Sequence, residues 1–228
     1  MLHTIIFVTG GAILALELLS SRILTPYFGV SLYIWSGILS ITLISLAGGY
    51  WYGGRLASGR KQPPPPERLA YLYARMPALA ALAIVVACLA YPFLFHRLAQ
   101  IDLVFGAFVA CIVILLVPLF VTSAMNPLLV AIMLRQSSAR NDLADAGAGR
   151  VFFISTLGSV AGVIVTAFGL IQYLSNFAAA LVIAIVLAAL PLAMLARPPL
   201  RIAERKPLAI TSGIALVASL GLLIGEHA

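Results

Sequence analysis

The sequence predicts an all-α membrane protein, a bundle of seven transmembrane helices, and three observations carry that reading. Of 228 residues, 63% are hydrophobic and only 9% charged, whereas a soluble domain typically has about a quarter of its residues charged. So few polar groups cannot coat a water-soluble fold of this size, and lipid must be the solvent. Apolar runs of about 20 residues recur along the chain, the length that crosses a ~30 Å hydrocarbon core at 1.5 Å per residue. Those runs lack the period-2 alternation of barrel strands. Backbone groups in hydrocarbon are satisfied only within a helix or a closed barrel, so the spans are helices.

The apolar segments run roughly 3–24, 31–54, 77–96, 101–134, 151–172, 174–195 and 207–224. The first resembles a signal peptide in position only. It lacks a basic leading region, Glu17 interrupts it and no A-x-A site follows, so it is expected to remain as a span. The fourth is long: its ~34 residues would reach about 50 Å as one straight helix. It contains Pro118 and Pro127, each of which removes a helical hydrogen bond and favours a kink. No polar stretch within it offers a turn. Charge decides against splitting it. With seven spans, the loops at 55–75, 135–150 and 197–206 share one side and hold 12 of the 14 basic residues. These are Arg55, Arg60, Lys61, Arg68 and Arg75, then Arg135, Arg140 and Arg150, then Arg197, Arg201, Arg205 and Lys206. Only Arg22 and Arg97 fall on the other side. Such a bias marks the cytoplasmic face, so the chain is expected N-in and C-out. Splitting the fourth segment would move loop 135–150 to the poor side.

The 1–228 chain reads as one transmembrane domain with short linkers. Pro63–Pro66 is expected to make the first basic loop stiff and extended. The segment from Asn141 to Asp145 carries capping residues for a short interfacial helix before the fifth span. A net charge of +7 could suggest nucleic acid, but the charges lie between spans and none is expected to bind it. Cys88 and Cys111 fall near the middle of spans and read as small apolar core residues. There is no CxxC or His/Cys cluster for a metal, no GxSxG, HExxH or Walker A motif, and no glycine fingerprint with its acidic partner. Neither an enzyme nor a cofactor is expected.

Charges inside spans cost about 2.5–3.5 kcal/mol on insertion scales and are functional hypotheses by default. Glu17 lies just beyond the midplane of the first span and Arg22 nearer its far surface. Five residues apart, they sit about 140° around the helix and are not natural partners. Arg22 can snorkel to the interface. Glu17 shares a stripe with Gly10, Leu14 and Ser21; it is read either as a hydrogen-bonded packing residue or as a proton or cation site. On the fifth span, Ser155, Ser159, Gly162 and Thr166 form one stripe, overlapped by Gly158, Gly162 and Gly169. Small residues at this spacing permit close helix approach, and the second span has a similar row in Ser45, Gly49 and Gly53. In the fourth segment, Asn126 precedes Pro127 after Thr122 and Ser123. That pattern fits either a broken-helix solute site or a simple kink satisfied by the hydroxyls. The candidate solute or proton pathway is therefore Glu17, Arg22, Asn126, Ser155 and Ser159.

Three stretches carry a family resemblance: Gly11–Gly29 (GAILALELLSSRILTPYFG), Gly48–Ala57 (GGYWYGGRLA) and Ser155–Gly162 (STLGSVAG). Over roughly residues 8–172 the chain resembles the membrane region of bacterial fused MFS/spermidine synthase proteins. The second stretch is also similar to the loop between spans 2 and 3 of major facilitators, with Ser58 where they carry an acidic residue. The resemblance implies a six-helix facilitator half plus one helix in a bacterial inner membrane. Many relatives continue into an aminopropyltransferase-like domain; nothing of it follows the seventh span here, so the resemblance implies no aminopropyl transfer. Two functions follow. One is a transporter-like protein for a small cationic solute, completed by a homodimer or another partner, since a facilitator has two halves. The other is a non-transporting membrane subunit or scaffold that docks a partner such as a spermidine-synthase-like enzyme.

Overall fold

A computed structural model describes residues 2–59, 64–136, 142–196 and 205–227. Among them, seven helices are long and apolar enough to cross a membrane. Helix α1 is Leu2–Phe28, α2 is Leu32–Ser58 and α3 is Pro66–Ile101. Helix α4 runs in pieces, Leu103–Cys111, Ile112–Leu116, Val117–Ser123 and Met125–Gln136. Helix α5 covers Asp142–Val165, Thr166–Leu170 and Ile171–Tyr173, followed by α6 at Asn176–Ala196 and α7 at Arg205–His227.

Local chemistry sets the helix ends. α1 stops where Gly29 adopts φ 76°, and α2 where Gly59 adopts φ 69°, a left-handed conformation that glycine takes without penalty. The Ile34 N–H donates to Ser31 Oγ at the start of α2, and the Phe105 N–H to Asp102 Oδ1 at the start of α4 (2.7 Å). The Ala178 N–H donates to Ser175 Oγ as α6 begins. Each side chain accepts from an amide that has no intrahelical partner.

Two boundaries differ from expectation. α3 begins at Pro66 rather than near 77, because the stretch before the apolar run is amphipathic. Leu69, Ala70, Tyr73, Ala74 and Met76 are buried there, and Pro66 is suited to the first helical position. Arg68 and Arg75 therefore belong to a helix and not to a loop. Pro65 is extended at φ −60° and ψ 153°, as expected of the proline run, while Pro63 lies outside the described residues. Among the described residues there is also no separate interfacial helix before the fifth span: from Asp142 onward the chain is already α5. Asn141, Arg60, Lys61, Arg140, Arg197 and Arg201 lie outside the described residues.

Helix α4 is continuous across the membrane but irregular. A π-helical turn at Ile112–Leu116 precedes Pro118, whose ring would clash with the carbonyl four residues back in a regular helix. The second irregularity is at Ala124, where Pro127 cannot donate to the carbonyl of Ser123. The Thr122 hydroxyl donates to the carbonyl of Pro118 (2.8 Å) and that of Ser123 to the carbonyl of Phe120 (3.1 Å). Polar side chains thus occupy carbonyls near both prolines.

That α4 crosses once is visible elsewhere. An added Cβ on Gly158 would meet the backbone of Phe7, and one on Gly162 would meet that of Gly11. Residue numbers rise together along both helices, so α1 and α5 run parallel. Three helices between them require this; four would make them antiparallel. Arg135, at the far end of α4, also donates to the carbonyls of Ala57 (3.1 Å) and Pro64. This strap puts the α2–α3 connection and the end of α4 on one side of the bundle. Two buried clusters stack along the helices. The larger is built on Leu16, Leu19, Ile38, Ile84, Leu115 and Leu187. The smaller, on Ile6, Leu69, Tyr73, Leu129, Met194 and Leu208, closes the basic end.

Two tests follow. Hydrogen bonds to charged groups contribute about 1.5–3 kcal/mol. Because Arg135 is half-buried, Arg135→Ala is expected to cost about 2 kcal/mol, read as a lower melting temperature in detergent. An unchanged melt would show that the strap is not stabilising. For topology, single cysteines replacing Ser58 and Ala99, in a background without Cys88 and Cys111, should react with an impermeant reagent from opposite sides, and Gly225→Cys from the side of Ala99. Ser58 and Ala99 reacting from one side would refute the arrangement. The equivalent positions Ser138 and Ala203 lie outside the described residues.

Candidate functional site

The fifth-span stripe meets α1 backbone to backbone. A Cβ on Gly158 would lie 1.9 Å from the Phe7 carbonyl oxygen and one on Gly162 2.2 Å from that of Gly11. Within this contact the Ser159 hydroxyl donates to the carbonyls of Gly10 (2.9 Å) and Ser155 (3.1 Å). Ser155 is buried, and its carbonyl would meet a Cβ on Gly10 at 2.3 Å. Gly169, expected on the same stripe, has open space where a side chain would go.

A second close contact joins α2 to α4. A Cβ on Gly49 would lie 2.4 Å from the Phe120 carbonyl oxygen and one on Gly53 2.3 Å from that of Ala124. The Ser123 hydroxyl donates across it to the carbonyl of Ser45 (3.3 Å), and the Ser45 hydroxyl donates to its own helix at Ile41 (2.6 Å). Asn126 is buried, with 3% of its surface exposed, and its amide lies beside the Tyr50 hydroxyl of α2. The Tyr50 ring meets Phe152 of α5 edge to face at 5.8 Å, and Phe152 is one turn before Ser155. Asn126, Tyr50, Phe152, Ser155 and Ser159 thus form a polar and aromatic belt through α4, α2 and α5, which meets α1 at the Gly10 carbonyl.

The charged candidates lie away from this belt. Glu17 is seven residues beyond Gly10, about 10 Å along the helix axis. It is half-buried, at the flank of the buried α1 face formed by Leu16, Leu19, Ser20 and Ile23. The Ser20 hydroxyl donates to the Glu17 main-chain carbonyl (2.7 Å). Of the two serines grouped with Glu17 in the candidate pathway, Ser159 bonds the Gly10 carbonyl and Ser155 packs against Gly10, away from the carboxylate. Helical spacing shows that two residues share a face but not which neighbour that face meets. Arg22 is exposed, and its carbonyl accepts from Asn176 Nδ2 at 3.4 Å. It does not approach Glu17.

A cavity of about 270 Å³ opens between α1, α5 and α6, lined by Ala12, Ala15, Gly162, Val165 and Val186 among others, with Thr166 as its polar contact. Neither Glu17 nor Asn126 lines it, so it offers no charge to a cation. Among the described residues no group of His, Cys, Asp and Glu could hold a metal ion. Cys88 and Cys111 are buried and free.

Two features escaped the sequence reading. Tyr50 connects Asn126 to α5, and its only signal was an aromatic run, Tyr50, Trp51 and Tyr52, inside a glycine-rich helix. Arg75 was assigned to a loop; its signal was the amphipathic spacing of Leu69, Tyr73 and Met76 around it.

Helices, apolar faces and close glycine contacts together define a polytopic α-helical membrane protein of seven spans. Compared with known protein families, curated proteins and solved structures, the chain matches none.

Proposed function

We propose that this protein is transporter-like and moves a small cationic solute across a bacterial inner membrane, with Glu17 as its charge site. The proposal rests mainly on one observation: the Glu17 carboxylate sits half-buried inside a span, and no described residue gives it a hydrogen bond or a counter-ion. An uncompensated carboxylate in that position is costly, and a bound cation or proton removes the cost. The irregular α4, with Asn126 and Tyr50 at its second break, supplies the kind of opened backbone found at solute sites in membrane carriers. In this reading the basic end is cytoplasmic, following the charge bias. A second copy or another membrane protein completes the pathway, as the resemblance to one facilitator half implies.

A second reading is a membrane subunit that holds a partner enzyme without transporting anything. It is favoured by the largely apolar, uncharged lining of the cavity between α1, α5 and α6 and by the distance between Glu17 and the belt. Flux in proteoliposomes separates the two. Uptake of an inorganic or organic cation, saturable and absent from empty vesicles, supports transport. No flux with alkali cations, protons or polyamines would rule for the second reading.

A further inference from the structure

The cavity between α1, α5 and α6 lies at hydrocarbon depth. The contacts of Gly158 with Phe7 and of Gly162 with Gly11 set a register, and its continuation puts Thr166 level with Ala15, both on the cavity wall. Phe7 lies five residues and Ala15 thirteen beyond Leu2, about 8 and 20 Å along the axis of α1. The space therefore sits below the headgroups and reaches the middle of the ~30 Å core. Its floor is buried at Gly11, Ala12, Ala15 and Ile183, while Phe7, Val165 and Val186 at its rim are 38%, 58% and 43% exposed. The mouth thus faces sideways, into lipid and not into water. No charged residue lines it. One wall residue is at odds with this apolar setting. Thr166 is 1% exposed. Unlike Thr9, Thr122 and Thr156, whose hydroxyls turn back to carbonyls of their own helices, its hydroxyl bonds no described residue. Buried hydroxyls are as a rule paired. Thr166 also opens a π-helical turn, its carbonyl accepting from the Ile171 N–H five residues on. The π turn of α4 is answered by Pro118, but no proline lies near this one, and π turns frequently mark functional sites.

We propose that this cavity binds a neutral, membrane-dissolved molecule carrying one hydrogen-bond acceptor, which enters sideways from the bilayer and takes the Thr166 hydroxyl as its donor. Three features select that chemistry. An ionised ligand would need a counter-charge that the walls do not have. A phospholipid keeps its ester and phosphate oxygens at the interface, so its acyl chain would fill the space but leave the hydroxyl unpaired. A carbonyl on an apolar body does both: the body packs against glycine, alanine and valine surface, and the oxygen accepts from Thr166. Size agrees. An apolar cavity of about 150 Å³ takes benzene, so one of about 270 Å³ takes a body of roughly twice that size, with any tail running out between Val165 and Val186.

The test uses the full chain purified in detergent and two molecules of one shape, the ketone menthone and its parent hydrocarbon p-menthane. Saturable binding above that of protein-free micelles is measured by equilibrium dialysis beside a thermal melt. Menthone is expected to bind about fivefold more tightly than p-menthane, the scale of one hydrogen bond, and to raise the melting temperature. Thr166→Val keeps the shape and removes the donor. It should bring menthone down to the affinity of p-menthane and leave p-menthane unchanged. Ala161→Leu, which puts bulk into the cavity from a half-buried wall position, should weaken both ligands about tenfold or more. If Ala161→Leu folds poorly, Thr166→Val carries the test alone. Equal binding of menthone and p-menthane to the parent would overturn the proposal and leave the cavity to lipid chains. A menthone preference that survives Thr166→Val, or saturable binding of neither molecule, would overturn it as well.

Discussion

Replacing Gly158 with leucine is expected to destabilise the protein by about 3 kcal/mol or more, the upper part of the range for forcing bulk into a close-packed contact. The reason lies in what the side chain would meet. A Cβ alone would come within 1.9 Å of the Phe7 carbonyl oxygen and 2.7 Å of its carbon. These are backbone atoms of a helix and cannot rotate aside as a side chain does. α1 and α5 would have to separate, and the Ser159 bond to the Gly10 carbonyl would go with them. Gly162→Leu should behave alike, since Gly11 backbone lies 2.2 Å from its Cβ position. Gly169→Leu is the internal control: it adds the same bulk to α5 where nothing lies within 4 Å. The measurement is folded yield and melting temperature in detergent for all three. A loss at Gly169 equal to that at Gly158 would mean that helix propensity, and not the α1 contact, sets the effect.

The second large effect is expected at Glu17. Glutamine keeps the shape and the hydrogen-bonding reach of glutamate but cannot carry its charge. If Glu17 binds a cation or proton during transport, Glu17→Gln abolishes coupled uptake, a loss of at least a hundredfold in flux, while the thermal melt stays within a few degrees of the parent. If Glu17 is a packing residue, glutamine serves equally in both assays. Because no described group hydrogen-bonds the carboxylate, Glu17→Leu is expected to fold at least as well as the parent, for it leaves no partner stranded. Solute or proton flux in proteoliposomes beside a melt of each variant decides. Equal flux in the parent and Glu17→Gln would remove this residue from the mechanism.

The helices were legible because a lipid solvent allows few alternatives: a long apolar run must be a helix, and the basic residues fix how many times the chain crosses. The start of α3 was not, since hydropathy registers only the part of a helix that lies in hydrocarbon. Leu69, Tyr73 and Met76 obey a helical period among charges and prolines, and burial in the end cluster extends the helix past the apolar window. The glycines at 49, 53, 158 and 162 stood out by spacing, yet spacing names a face and not the helix that will lie on it. Hence Ser155 and Ser159 were grouped with Glu17, when Ser159 bonds the Gly10 carbonyl and Ser155 packs beside it. Asn126 was conspicuous as an amide beside a proline. Its neighbour Tyr50 was not, because the meeting of α2, α4 and α5 is a property of the assembled bundle.

The tight seam between α1 and α5 also constrains the order in which the bundle is assembled. Ser159 and the Gly10 carbonyl are 149 residues apart. At a synthesis rate of roughly 5–20 residues per second, α1 waits on the order of ten seconds or longer in the bilayer before α5 has been made. Throughout that interval its glycine face, shaped to meet another backbone, lacks the α5 backbone that it meets in the finished bundle. Helix α1 therefore gains its closest contact only after α5 has been made, and a chain halted before α5 would hold an α1 whose glycine face still lacks its partner.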